Sequence, residues 1–243
     1  FGMSVVKKGI LGLTTLATGQ TFINSIDAFP AKIEISTTKT YNIADLPLRT
    51  RSGRSVTLTD LKTFEINTSL ILLPEKPMQQ RYADPRIGYF SYGQLDYVGN
   101  PNGVKDRKYI TRWRLEPKSE DMAKYLQGQL VQPKNQIIFY IDPTTPENWI
   151  PYLEQGVNDW NSAFEQAGFK NAIAAKLAPS RMEDSTWSIN DARHSVIVYN
   201  PSDIKNAEGP SIFDPRSGEI LESHINWYHN VMELIHDWYF IQC

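Results

Sequence analysis

Residues 136 to 168 constrain this chain more than any other stretch, because a strand apolar on both faces runs directly into an amphipathic helix. Gln136-Ile137-Ile138-Phe139-Tyr140-Ile141 is apolar in both registers of a period-2 pattern, the mark of a strand covered on both sides. It predicts a central place in a sheet. Thr145 is the expected N-cap of the helix, with Pro146 and Glu147 suited to its first turn. Trp149, Leu153, Val157, Trp160 and Phe164 recur at spacings of three and four, while Glu154, Asn158, Asp159 and Glu165 fall elsewhere. Gly168 can supply a left-handed C-terminal cap, so one helix should dock its aromatic face on the sheet.

Asn171 to Leu177 returns as a second strand and Ala192 to Tyr199 as a third in the same sheet, which predicts a right-handed parallel crossover. Asp214-Pro215-Arg216-Ser217-Gly218 is a tight-turn sequence, so residues 209 to 227 should form a β-hairpin with one arm at the sheet edge. A last helix is expected from about His229 to Gln242, with Val231, Leu234, Ile235, Trp238 and Ile241 on its apolar face.

Upstream, the pattern is mostly extended. Thr21 to Ala28 reads as a short helix, Ala31 to Thr37 as a half-buried strand and Lys62 to Leu73 as a long one. Arg86 to Tyr97 and Arg107 to Leu115 are two further strands around the Gly99-Asn100-Pro101-Asn102-Gly103 turn, and Ser119 to Gln127 is a short helix. Arg49, Arg51 and Arg54 fall in a polar segment, Tyr41 to Thr59, expected to be a solvated loop. The fold class is therefore α+β, with an N-terminal β-rich domain over residues 1–133 and a mixed αβ sheet unit over 134–243.

Charge limits the partners. A formal net charge of −2 over 243 residues gives no broad electrostatic drive toward nucleic acid or an anionic membrane. Lys7 and Lys8 ahead of the apolar run Gly9 to Ala17 imitate a signal peptide, but the run is too short to span a bilayer and is read as a glycine-rich loop or short helix. No transmembrane segment is expected. The single cysteine, Cys243, excludes an internal disulfide and leaves the compartment open.

Few residues suggest chemistry by type and spacing. His229, Glu233 and His236 stand at i, i+4 and i+7 of the expected last helix and imitate two imidazoles and a carboxylate around zinc. That face lies opposite the apolar one, where polar residues belong anyway, so it is read as solvated surface and no metal ligand is assigned. His194 is read as a packing residue of its strand. Asp214, Glu219 and Glu222 surround the hairpin turn and are read as turn chemistry rather than as a glycosidase pair. Tyr89, Phe90, Tyr92 and Tyr97 are read first as cross-strand packing, with glycan or peptide stacking as the minority reading. Nucleophile elbows, phosphate loops and dinucleotide fingerprints do not occur, so no catalytic residue is assigned.

A set of ordered motifs adds to this reading. Tyr82-Ala83-Asp84-Pro85-Arg86-Ile87-Gly88-Tyr89-Phe90, Arg112-Trp113-Arg114-Leu115-Glu116-Pro117-Lys118, Phe139-Tyr140-Ile141-Asp142, Gly156-Val157-Asn158-Asp159-Trp160, Ala167-Gly168-Phe169-Lys170, Asp214-Pro215-Arg216-Ser217-Gly218-Glu219-Ile220 and Trp227-Tyr228-His229-Asn230 resemble a family of bacterial zinc-dependent metallopeptidases. The family is metzincin-like and commonly exported, with an N-terminal domain of unknown function. The resemblance implies a peptide or protein substrate, a zinc cofactor in the full-length protein, and an edge strand that takes an extended peptide, here Gly209, Pro210, Ser211, Ile212 and Phe213. The family's zinc helix bears His-Glu-x-x-His, which does not occur in this sequence, so the chain is expected to be a fragment, inactive alone, with no zinc bound. The alternatives are a non-catalytic protein- or glycan-binding module and a degenerate peptidase homologue.

Overall fold

The computed structural model of the chain describes residues 13–43, 47–49, 55–57, 61–99, 101–180 and 182–242. With about 18% helix and 40% strand divided among several sheets, the fold is α+β. Two compact units cover Phe1–Leu72 and Leu73–Cys243.

The first unit is organised around its longest strand. Strand β3 (Lys32–Ile43) takes β1 (Leu13–Leu16) and β2 (Phe22–Phe29) along one edge and β6 (Leu61–Ile71) along the other, all antiparallel. β4 (Pro47–Arg49) and β5 (Ser55–Thr57) form a separate two-stranded ladder. Two expectations are corrected here. Thr21 to Ala28 is not a helix: Phe22, Ile23, Ile26 and Phe29 mimic a helical stripe, but the tight reversal at Pro30-Ala31 brings the segment against β3 in register from Phe22↔Thr38 to Phe29↔Lys32. Leu13–Leu16 likewise pairs as a strand instead of forming a loop or short helix. Within the basic segment Arg49 lies in β4, and Arg51 and Arg54 lie outside the described residues.

The second unit begins with the antiparallel pair β7 (Ser91–Asp96) and β8 (Lys105–Ile110), then a 3₁₀ turn (Ser119–Asp121) and the short helix α1 (Met122–Leu126). β9 (Ile137–Ile141), α2 (Ile150–Asn158), α3 (Asn161–Gln166) and β10 (Ile173–Leu177) follow. β11 (Ser195–Asn200), β12 (Ala207–Glu208), β13 (Ser211–Phe213), β14 (Ile220–Tyr228) and α4 (Val231–Gln242) complete it. The sheet order is β10-β9-β11-β14-β12, with β13 also on β14. The first four strands run parallel, and β12 and β13 are antiparallel to β14.

β9 behaves as its sequence demands. Ile137, Phe139 and Ile141 are buried beneath Ile150, Leu153, Val157 and Phe164, while Tyr140 on the other face packs against Trp187 and His194. Burial of one such side chain stabilises the fold by ~1.5–3 kcal/mol. His194 is thus a packing residue, its ring 5.7 Å from that of Trp187.

The helix after β9 departs from expectation in two ways. It starts at Ile150, capped by Trp149, with Pro151 rather than Pro146 in its first turn, and Thr145 is a buried loop residue. It also breaks between Asn158 and Asn161. There Asn161 Nδ2 donates to the Ile173 carbonyl at 2.9 Å, Asn161 Oδ1 accepts the Ile173 N–H at 3.2 Å, and Asn158 Oδ1 accepts the Ala175 N–H at 3.4 Å. These bonds hold the helix against the β10 edge. Gly168 has φ +91° and closes the second piece, as its position suggests.

The division at Leu72 also differs from the boundary near residue 133. Residues 112 to 133 are tied into the second unit by the bridges Arg112↔Glu219 and Val131↔Phe169 and by Trp113 against Phe139, so no break in packing occurs where Pro133 suggests a linker. Among the described residues no helix is long and apolar enough to cross a membrane.

Candidate functional site

Antiparallel alternation decides what the arm around Gly209 can offer. β12 and β13 lie on β14 in one continuous register, from Ala207↔Trp227 to Ile212↔Glu222. The His224 N–H donates to the Pro210 carbonyl at 3.1 Å, which makes Pro210 and His224 a hydrogen-bonded pair. Alternate residues then face the other way, so the N–H and C=O of Gly209 and Ser211 point away from β14. The Ser223 N–H, opposite Ser211, donates to Ser195 Oγ on β11 at 3.1 Å, in agreement with that alternation.

The five residues assigned by resemblance therefore divide. Gly209 and Ser211 present backbone groups outward; Pro210 and Ile212 are turned toward β14; Phe213 sits in a register shift with its ring 4.9 Å from that of Tyr92. Ile212 is a ladder residue of the fold rather than a donor to a ligand. The division follows from the pairing register, which composition does not reveal.

The acids beside the turn after β13 are buried, although Pro215 and Arg216 at its tip are exposed. Asp214 is 0% exposed, Ser217 1%, Glu219 8% and Glu222 2%. The segment from Ile110 to Arg114 lies over it, with the Arg112 N–H donating to the Gly218 carbonyl and the Ile220 N–H to the Arg112 carbonyl, both at 2.9 Å. Gly218 has φ +75°, and a Cβ there would strike the Ile110 carbonyl oxygen. Asp214 accepts the Arg216 N–H at 2.8 Å and the same residue's guanidinium Nη2 at 2.8 Å. Those hydrogen bonds hold its carboxyl below the ordinary range against the effect of burial. Glu219 is pushed the other way by burial, opposed by Arg114 at 2.6 Å. Both carboxylates are thus taken up by arginines of the scaffold.

The zinc-like constellation does not assemble. His229 precedes α4 and its Nδ1 lies 2.7 Å from the Tyr199 hydroxyl; Glu233 is ion-paired with Lys205 at 2.8 Å; His236 rests on Phe240 with ring centres 4.5 Å apart. No group of three His, Cys, Asp or Glu among the described residues could hold a metal ion. The donor set required for the zinc that the resemblance implies does not fit these residues. Beyond the buried Val231 the apolar face of α4 is open, with Ile235 51%, Trp238 54% and Ile241 80% exposed.

The family described as a domain of unknown function, DUF5117, matches residues 3–118, slightly under half of the chain. Over those residues the chain is similar to that domain. No curated protein matches the chain, and no solved structure matches it.

Proposed function

We propose that the mixed sheet of residues 134–243 is the peptide-binding part of a zinc-dependent endopeptidase, and that an extended peptide or protein substrate adds to it alongside β13. The supporting observation is the contrast between the two sheet edges. At β10 the outward N–H and C=O of Ile173 are occupied by Asn161 and the outward N–H of Ala175 by Asn158, whereas Gly209 and Ser211 keep theirs directed outward. Folded proteins seal exposed strand edges unless they use them. One edge here is sealed by amide side chains and the other carries a readable register. The zinc and an exported location belong to the same proposal by resemblance, and no residue of this chain is given a hydrolytic role.

The test is a titration of the ¹⁵N-labelled chain with an unstructured Val/Thr-rich peptide, read by amide hydrogen exchange. Protection should grow at Gly209 and Ser211, and Ser211→Pro should abolish it while leaving the fold intact. Protection elsewhere, or an unchanged affinity in Ser211→Pro, rules the edge out. Elemental analysis of the same sample should find no stoichiometric zinc.

A binding module for protein or glycan is the second reading, favoured by the exposure of Phe90 (88%) and Tyr97 (68%). Oligosaccharide binding unaffected by Ser211→Pro would select it.

A further inference from the structure

The Arg112-Trp113-Arg114 motif builds a ridge of like charge that the peptide edge does not use. The Ala83 N–H donates to the Lys108 carbonyl at 2.8 Å and the Ile110 N–H to the Arg81 carbonyl at 3.0 Å. This pairing sets Arg81 opposite Ile110 and diagonal to Arg112 on one face, since residues two apart in an extended segment share a face. Tyr82 and Tyr109, the pair between, stack with ring centres 5.1 Å apart.

The charges on this ridge do not cancel locally. Arg114 reaches Glu219 at 2.6 Å, while Arg81 and Arg112 have no carboxylate at ion-pair distance among the described residues. Arg112 Nη2 donates to the Gln79 carbonyl at 3.1 Å, which uses a minority of the guanidinium's donors. Burial, and then the Arg81 charge, pull the Arg112 guanidinium below its ordinary value. A nearby anion would oppose the effect of the Arg81 charge.

Arg81 and Arg112 also line a cleft of about 450 Å³ whose other walls include Tyr89, Trp113, Tyr125, Trp160 and Phe164. That volume falls within the range of roughly 300–1,000 Å³ typical of small-molecule sites. Behind them Arg81, Arg112 and Arg114 share a smaller cavity with Glu116. Three guanidinia against Glu116 and Glu219 leave one positive charge, which a monoanion neutralises and a phosphate dianion overcompensates.

We propose that this cleft binds a small organic carboxylate, its charged end held by Arg81 and Arg112 and its aromatic or alkyl body lying against Trp113, Trp160 and Phe164. Guanidinium forks match carboxylate geometry, and the aromatic faces supply the apolar contact. The site is independent of the β13 edge and of any peptidase role.

Calorimetric titration with 3-phenylpropionate, 3-phenylpropanamide and inorganic phosphate separates the contributions. The acid should bind saturably, with the amide and the Arg81→Gln variant each weaker by on the order of tenfold, the loss expected for one charge-assisted interaction. Trp160→Ala, at a residue 63% exposed, should weaken the acid while keeping the fold. Equal binding of acid and amide, no saturable binding of the acid, or tighter binding of phosphate than of the acid overturns the proposal. The comparison of acid with amide uses the unaltered chain, so it holds even where a variant fails to fold.

Discussion

Arg216 folds back on Asp214, two residues earlier, and clamps a carboxylate that is itself fully buried, with Nη2 2.8 Å from Oδ2. The same Asp-x-Arg clip recurs at Asp84–Arg86 and Asp191–Arg193, each with the arginine N–H and guanidinium both donating to the aspartate. The three differ in setting: the side chain of Asp191 is 1% exposed and that of Asp84 35%.

Asp214→Ala should therefore destabilise the chain by about 2–3 kcal/mol, because the turn loses its charge-assisted bonds where water cannot replace them. Asp84→Asn, in the solvated copy of the clip, should leave the melting temperature unchanged. Chemical denaturation of both variants checks this, and equal effects would mean that burial of the clip is irrelevant. Since the folded-state value of Asp214 is depressed, its contribution is present above the ordinary carboxylate pKa of about 3.9 and is lost as pH falls through the folded value. An uncharged residue at 214 should remove that part of the acid sensitivity.

Gly218→Ala should cost more than a usual turn substitution. The residue sits at φ +75°, and the added methyl would meet the Ile110 carbonyl and the Tyr92 ring. Strain and overpacking together predict a loss of roughly 2–4 kcal/mol. A melting temperature within error of the parent would contradict this geometry.

His194 predicts a slope at milder pH. Burial lowers its pKa, opposed by Asp191, so the unfolded chain binds its proton first. Stability at this site is complete above the unfolded value of about 6.5 and falls as pH drops from there toward the folded value. His194→Phe keeps an aromatic ring beside Tyr140 and Trp187, and the difference in unfolding free energy between it and the parent should shrink on acidification. A pH-independent difference would show that the imidazole does not titrate on unfolding.

Ile212→Pro separates ladder from ligand. Its N–H is turned toward β14 by the register, so the variant should lose hydrogen-exchange protection at Glu222 and neighbouring residues even without peptide. Full retention of that protection would mean that the alternation along β13 is the reverse.

The strands β9, β10 and β11 and the turn at Asp214 to Gly218 were legible because their signals are local: apolar runs, a proline and a glycine at fixed offsets. β2 was not, since Phe22, Ile23, Ile26 and Phe29 satisfy a helical stripe and only pairing with β3 makes them a strand. The burial of the acids beside the turn was not legible, because the segment that covers them, Ile110 to Arg114, comes from about a hundred residues earlier in the chain. Within residues 209 to 213 the hairpin strand was legible and the outward-facing residues were not, because their direction depends on the pairing of Pro210 with His224. The arginine ridge was missed for the same reason: Arg81 and Arg112 become neighbours only when the two segments pair.

The clip at Asp214 also bears on how the second unit assembles. Its bonds join residues two apart, so they close with almost no loss of chain entropy, whereas the parallel pairing of β9 with β11 must bring together segments separated by a whole crossover. The turn can thus exist before the sheet does, fixing the direction of β14 ahead of the strand it will pair with. Unfolding and refolding rates should then place the clip among the early contacts, with Asp214→Ala slowing refolding more than truncations of β11 of equal cost.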